Sequence, residues 1–186
     1  MKSEIKSLIF LIVLLLTCHV QGQCLNTESN PSNSGGYFDS GSGIRDYWWT
    51  PSLNSTYTID TEDYYYGNSA LKVVVSPEDD YTNNLARMWT KSGDCTLIIN
   101  NGQSWNVSLY LKGEIGDQLQ FVLIDADNSN ADLGNVSHNI QYSGWHFLRL
   151  KISSSGATTN GKLRINFQSQ GTYRLDNIVL EQEAEF

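Results

Sequence analysis

The sequence predicts an all-β domain, a two-sheet β-sandwich of the jelly-roll kind, and three observations carry that expectation. Apolar residues recur at every second position, as in Trp105, Val107, Leu109 and Leu111 and again in Leu119, Phe121 and Leu123, which is the period of strands with one face on a core. Past the N-terminal segment no stretch has the periodicity of an amphipathic helix. Turn residues divide the alternating runs into roughly eight to ten short strands. A chain of 186 residues is long enough for one domain with its own core and too short for two comfortable ones, and two sheets are needed to hide its inward faces.

Residues 1–22 are expected to be a secretory signal peptide, with a short basic start, an unbroken apolar run from Leu8 to Leu16, and Val20 and Gly22 at the −3 and −1 positions of a cleavage site. The run is too short to span a bilayer well, so no transmembrane segment is expected after its removal. The rival reading is a lipid anchor at Cys18, although Thr17 is a poor neighbour for a lipidated cysteine. If Cys18 leaves with the signal, Cys24 and Cys95 are the remaining cysteines. In an exported protein two cysteines more often pair than not; the alternative is two unpaired buried thiols.

Residues 23–35 read as a flexible leader rich in Asn, Ser and Gly, and residues 36–182 as the folded module. Asp46 to Pro51, DYWWTP, sets three aromatics beside a proline. Two strands follow, around Tyr57 and Ile59 and around Leu71, Val73 and Val75, joined by a turn at Gly67 and Asn68. Asn84 to Lys91 is a strand with Ala86 and Met88 on one side, Arg87 and Trp89 on the other. CTLII leads to residues 105–125, read as a hairpin closed at Gly-Glu-Ile-Gly, whose outward face carries Asn106, Ser108, Tyr110, Gln118 and Gln120. Residues 126–135 form an acidic loop. WHFLRLKI is a strand of imperfect alternation, which points to a bulge or to two covered faces. SSSGATTNG is a loop, LRINF a strand with Arg164, Asn166 and Gln168 outward, and YRLDNIVLEQ the last strand, before an acidic tail at 183–186.

The chain carries 12 Lys and Arg against 20 Asp and Glu, a formal net charge of −8. That balance, without a basic cluster, argues against nucleic acid and anionic membrane as partners. It also disfavours strongly anionic polysaccharides, unless a local patch around Arg87, Lys91, Arg149 or Arg164 overrides the global sign.

The order GYFDSG, a tryptophan patch, YYYGNSALKVVV, NNGQSWNVSLYLKG, SGWHFLRLKI and GTYRLDNIVLEQ resembles the secreted carbohydrate-binding modules of the galactose-binding-domain-like superfamily. The resemblance is to the xylan-, glucan- and cellulose-binding type annexed to glycoside hydrolases, and it covers residues from about 36 to 181. It departs from the family pattern where Asp39 stands for the usual glutamate, Trp105 for a frequent tyrosine, and Gly35 or Asn33 for the opening asparagine. The resemblance implies a polysaccharide or oligosaccharide partner, with a separately encoded glycoside hydrolase as a further one. It also implies a structural calcium ion, Ca2+, with Asp39 and Asp176 at the acidic positions of the opening and closing motifs and backbone carbonyls near Gly67 and Lys72 completing the oxygen shell.

Sugar binding by a β-sandwich needs aromatic rings to stack on pyranose faces and amide or guanidinium groups to bond the hydroxyls. Arg87, Trp89, Tyr110 and Gln120 are the leading candidates, with Trp48, Trp49, His138 and Gln168 behind them, while Trp145 is assigned to the core. The competing reading is that Trp89 and Tyr110 are single exposed aromatics. No H-E-x-x-H or G-x-S-x-G motif is present. Acidic residues gather in turns, whereas a glycosidase needs two facing carboxylates. The expected function is therefore secreted, non-catalytic polysaccharide binding. The alternatives are a small glycan-active hydrolase or lyase using loop carboxylates, and a structural or adhesive sandwich that binds protein. Sequons occur at Asn54, Asn106 and Asn135.

Overall fold

A computed structural model describes residue 38 and residues 47–79, 86–91 and 96–183. The expected signal peptide, the leader, Asp39 and the cysteines lie outside these residues. No helix among the described residues is long and apolar enough to cross a membrane.

Eleven strands are described: β1 (Trp48–Trp49), β2 (Thr56–Asp60), β3 (Ala70–Val75), β4 (Ala86–Thr90), β5 (Leu97–Ile99), β6 (Ser104–Lys112), β7 (Gln118–Asp125), β8 (Ala131–Asn139), β9 (His146–Ser153), β10 (Thr158–Phe167) and β11 (Gly171–Gln182). They form two antiparallel sheets. The front sheet runs β1-β4-β10-β7-β8, with β5 paired to the first part of β10, and the back sheet runs β2-β3-β11-β6-β9. Alternation decides what lies between them. Leu119, Phe121, Leu163, Ile165 and Phe167 of the front sheet meet Trp105, Leu109, Leu111, Tyr173 and Leu175 of the back sheet, all with no measurable exposure.

The two-sheet sandwich is as expected, and several local expectations are corrected. Residues 105–125 are not a hairpin, because β6 lies between β11 and β9 while β7 lies between β10 and β8. Each run has the expected inward residues, but alternation says nothing about which strand lies alongside. The Gly-Glu-Ile-Gly link instead crosses between the sheets. Gly116 donates its N–H to the Ile140 carbonyl (2.9 Å), and a Cβ on Gly113 would stand 2.6 Å from Ile140 Cδ1. Residues 131–135 of the expected loop belong to β8, and Thr158–Gly161 pair with β5 rather than looping. β9 is an edge strand in unbroken register with β6, so it has neither a bulge nor two covered faces. The core tryptophans are Trp48 and Trp105; Trp145 is half-buried and donates from Nε1 to Asp63 Oδ1 at 2.9 Å.

Loop 61–69 folds onto the outer side of the back sheet and is held there by acids. Asp176 Oδ2 accepts the backbone N–H groups of Tyr65 (3.1 Å) and Tyr66 (2.7 Å). Asp63 takes Lys112 at 2.7 Å, and Arg174 Nε lies 2.9 Å from Asp60 and 3.2 Å from Asp63. Asp79 ties the chain before β2 to the turn after β3, accepting the Asn54 N–H at 2.9 Å and that of Ser55. Burial pushes these carboxyls up, but the hydrogen bonds outweigh it. Glu62 N–H and Arg174 hold Asp60 below its usual range, Lys112 and Trp145 hold Asp63, and Ser55 and Asn54 hold Asp79. Asp117 shifts the other way, raised by burial.

Two predictions follow from these contacts. A Cβ at Gly134 of β8 would stand 2.3 Å from the Ser153 carbonyl oxygen at the end of β9. Gly134→Ala should therefore cost about 1–3 kcal/mol in urea unfolding, and unchanged stability would mean that the two edges do not touch. The three depressed carboxyls stabilise the fold above their unfolded value of about 3.9 and lose that contribution as pH falls through their lower folded values. Asp117 opposes them. The melting temperature should thus fall below about pH 4, less steeply in Asp60→Asn and Asp79→Asn than in the parent chain.

Candidate functional site

The outward side chains of the front sheet form rows fixed by strand register. Trp49 of β1 stands opposite Trp89 of β4, Trp89 opposite Arg164 of β10, Arg164 opposite Val122 of β7 and Val122 opposite Asn135 of β8. The adjoining row is Arg87, Asn166, Gln120 and Ser137. At ~4.8 Å per inter-strand step the first row, of four steps, is roughly 19 Å across and the second, of three, roughly 14 Å; Val122 and Asn166 within them are fully buried.

The alternation of β1 turns Trp48 into the core at 1% exposure and leaves Trp49 out at 52%. A pocket of about 390 Å³ is lined by Trp49, Trp89, Lys91 and Lys162. The backbone of Arg87 is held from two sides: its N–H donates to Ser52 Oγ in the segment before β2 (3.2 Å), and its carbonyl accepts the O–H of Tyr57 on β2 (3.0 Å). Burial pushes the Tyr57 phenol up to about 12, so it remains a donor at ordinary pH.

The centre of the face is an amide relay. Asn166 Nδ2 donates to Gln120 Oε1 at 2.9 Å, and Gln120 Nε2 donates to Asn135 Oδ1 at 3.3 Å. Beside it, Arg164 is 8% exposed and bonds Asp132 through Nη2 at 2.6 Å. Two polar atoms on β10 are buried without a hydrogen-bond partner, the Nε–H donor of Arg164 and the Oδ1 acceptor of Asn166. They sit two residues apart on the same outward side. Unsatisfied buried groups of this kind are costly and rare, and a hydroxyl, which both accepts and donates, could satisfy them together.

Of the expected binding residues, the structure brings together Arg87, Trp89, Gln120 and Trp49, with Gln168 continuing the outward register at the end of β10. It does not bring Tyr110 or His138 to them. Tyr110 lies on the outer side of the back sheet, stacked on Tyr65 at 3.7 Å between ring centroids and 5.4 Å from Phe147. The expected single groove holding both Trp89 and Tyr110 is thus corrected, because their strands belong to different sheets. His138 falls in the inward register opposite Leu119, and its ring lies 6.0 Å from that of His146. Burial, and then the nearby His146, hold its pKa below the usual imidazole value. Asn166, Arg164, Lys162 and Asn135 were not among the leading candidates. The outward alternation of LRINF already marked Arg164 and Asn166; their central place in the sheet was not visible.

Of the residues expected to hold calcium, Gly67, Lys72 and Asp176 are among the described residues. Lys72 lies mid-ladder between Arg174 and Thr58, where its carbonyl belongs to the sheet. Asp176 is fully buried, and its Oδ2 accepts the amides of Tyr65 and Tyr66. No group of three His, Cys, Asp or Glu side chains able to hold an ion occurs among the described residues. Asp39, the other carboxylate expected to bind calcium, lies outside the described residues; the carbonyl of Phe38, the residue before it in the chain, accepts the Ser69 Oγ–H at 2.8 Å, close in sequence to Gly67 and Lys72.

No protein-family model matches the sequence, and no curated protein matches it. Solved structures do match in fold. An arabinose-bound GH51 α-L-arabinofuranosidase superposes with TM-score 0.68 at 10% identity, over 90% of this chain and 31% of that one. A CBM4 carbohydrate-binding module gives 0.54 at 12% identity, over 74% of this chain and 96% of that one. The CBM22-1 and GH10 modules of Clostridium thermocellum xylanase 10B, complexed with xylohexaose, give 0.53 at 12% identity, over 75% and 26%. The chain thus spans about a third of the first and a quarter of the third, and nearly all of the second. At these identities the likeness shows the fold: the chain has the two-sheet β-sandwich of the carbohydrate-binding modules.

Proposed function

We propose that this is a secreted, non-catalytic carbohydrate-binding protein that holds a polysaccharide across the outer face of its front sheet. The observation that carries the reading is the unmatched donor and acceptor of Arg164 and Asn166, placed one strand from the Trp89 ring and two from Trp49. In this reading the indoles stack on the apolar faces of the sugar rings, and the Arg87, Asn166 and Gln120 row, with Asn135 bonded to Gln120 beside it, bonds their hydroxyls. Similarity in fold to part of the CBM22-1 and GH10 modules complexed with xylohexaose supports the choice of ligand class. Lys91 and Lys162 beside the indoles suit a glycan bearing a few carboxylates, while the net charge of −8 disfavours a strongly anionic one.

The loop carboxylates that an enzyme would use are taken up by the chain itself. Asp125 accepts Thr158 Oγ1–H (2.7 Å), Asp127 accepts Asn160 Nδ2–H (2.6 Å), and Asp132 pairs with Arg164. That favours holding a glycan over cleaving it.

Affinity electrophoresis against soluble neutral and uronic-acid-bearing polysaccharides should retard the chain without releasing reducing ends; release of sugars would favour an enzyme, and no retardation on any glycan a structural role. Trp49→Ala, Trp89→Ala and Asn166→Ala should each weaken binding tenfold or more, about 1.4 kcal/mol, with little change in the tryptophan variants' melts. Tyr110→Ala should bind like the parent. Loss of binding in Tyr110→Ala alone would move the site to the back sheet.

A further inference from the structure

On the flank where the edge strands β8 and β9 face each other, two inward positions carry histidines. His138 is in register with Leu119 on the front sheet and His146 with Leu111 on the back sheet, and their rings are 6.0 Å apart. The Nε2 atom of each ring is buried and makes no hydrogen bond. His146 Nδ1 lies 3.2 Å from the Gly144 carbonyl, which can only accept, so Nδ1 carries the proton and Nε2 of the neutral ring presents a lone pair. A ring nitrogen bonded to a backbone carbonyl with its opposite nitrogen bare is the arrangement that orients imidazole as a metal ligand. With ring centroids 6.0 Å apart, the pair leaves room for one ion bound at a Zn–N length of about 2.0–2.1 Å to each ring.

We infer that His138 and His146 form a two-histidine site for a divalent transition-metal ion, clasping the edge of one sheet to the edge of the other. Imidazole suits Zn2+, Ni2+ and Cu2+ and discriminates against Ca2+ and Mg2+. With two protein ligands, the remaining coordination positions are open to water or a small ligand. No third His, Cys, Asp or Glu joins the pair among the described residues. Because the two rings come from different sheets, an ion bound there stabilises the native chain and not the unfolded one.

The test uses the full chain titrated with ZnCl2, with CaCl2 as the control. Above saturation the melting temperature should climb by about 3–5 °C per tenfold rise in free Zn2+, with no response to Ca2+. His138→Gln and His146→Gln should each abolish the climb. The third histidine, His19, and the three cysteines remain in both variants, so a Zn2+ response that survives either substitution lies elsewhere and overturns the proposal, as does no response in the parent chain. Should a variant fail to fold, Zn2+ added to the parent chain should move the Nε2 resonances of both rings together in a long-range imidazole nitrogen spectrum. Movement of one ring alone, or of neither, overturns it.

Discussion

Packing between the inner faces of the two sheets is the interaction on which the rest of the structure depends. Trp105, Leu109 and Leu111 of β6 and Tyr173 and Leu175 of β11 close against Phe121 of β7 and Leu163, Ile165 and Phe167 of β10, with Phe167 and Tyr173 at 5.0 Å between ring centroids. Each such side chain taken out of water contributes roughly 1.5–3 kcal/mol. Because a strand alternates, fixing the inward residue fixes its outward neighbour. Met88 and Ala86 buried means Arg87 and Trp89 displayed; Ile165 buried means Arg164 and Asn166 turned to the other side. The candidate glycan face is thus the reverse of the core. Its rows inherit their spacing from the hydrogen-bonded ladders, so the face is held before any ligand arrives.

That dependence explains what could be read in the chain and what could not. Period-two alternation located most strands and sorted their residues into inward and outward sets, as at 86–89 and at 163–167, whereas nothing in DYWWTP told Trp48 from Trp49. Partner choice between strands left no trace in the local pattern. β6 and β7 are consecutive, joined by a short glycine-bearing link and individually regular, yet they sit in different sheets. This separated Tyr110 from Trp89 and carried Asn106 with it to the back. The sequon that bears on the proposed face is therefore Asn135, which accepts a hydrogen bond from Gln120 there. A glycan on Asn106 would leave the front face clear. Trp145 and Asp176 show the other blind spot: loop 61–69 folds over the back sheet through side-chain contacts distant in sequence, and no alternation reports them.

The two outer faces then divide the molecule's chemistry. The back face commits its acids and bases to itself, in the Asp60, Asp63, Arg174 and Lys112 network that pins loop 61–69. The front face keeps a buried donor and acceptor unmatched beside two indoles. An unmatched polar pair at the centre of a sheet costs stability, and such a cost persists where a ligand repays it. The flank between the sheets holds a third arrangement, the facing histidines, whose contribution is independent of the sugar face.

The measurement that bears most directly on the account is residue-resolved: backbone amide shifts of the labelled chain titrated with an oligosaccharide of a polysaccharide that retards it. The account predicts the largest changes along β4, β10 and β7, centred on Trp89, Arg164, Asn166 and Gln120, with β6 and β9 unmoved. Changes centred on Tyr110 and Phe147 would contradict it.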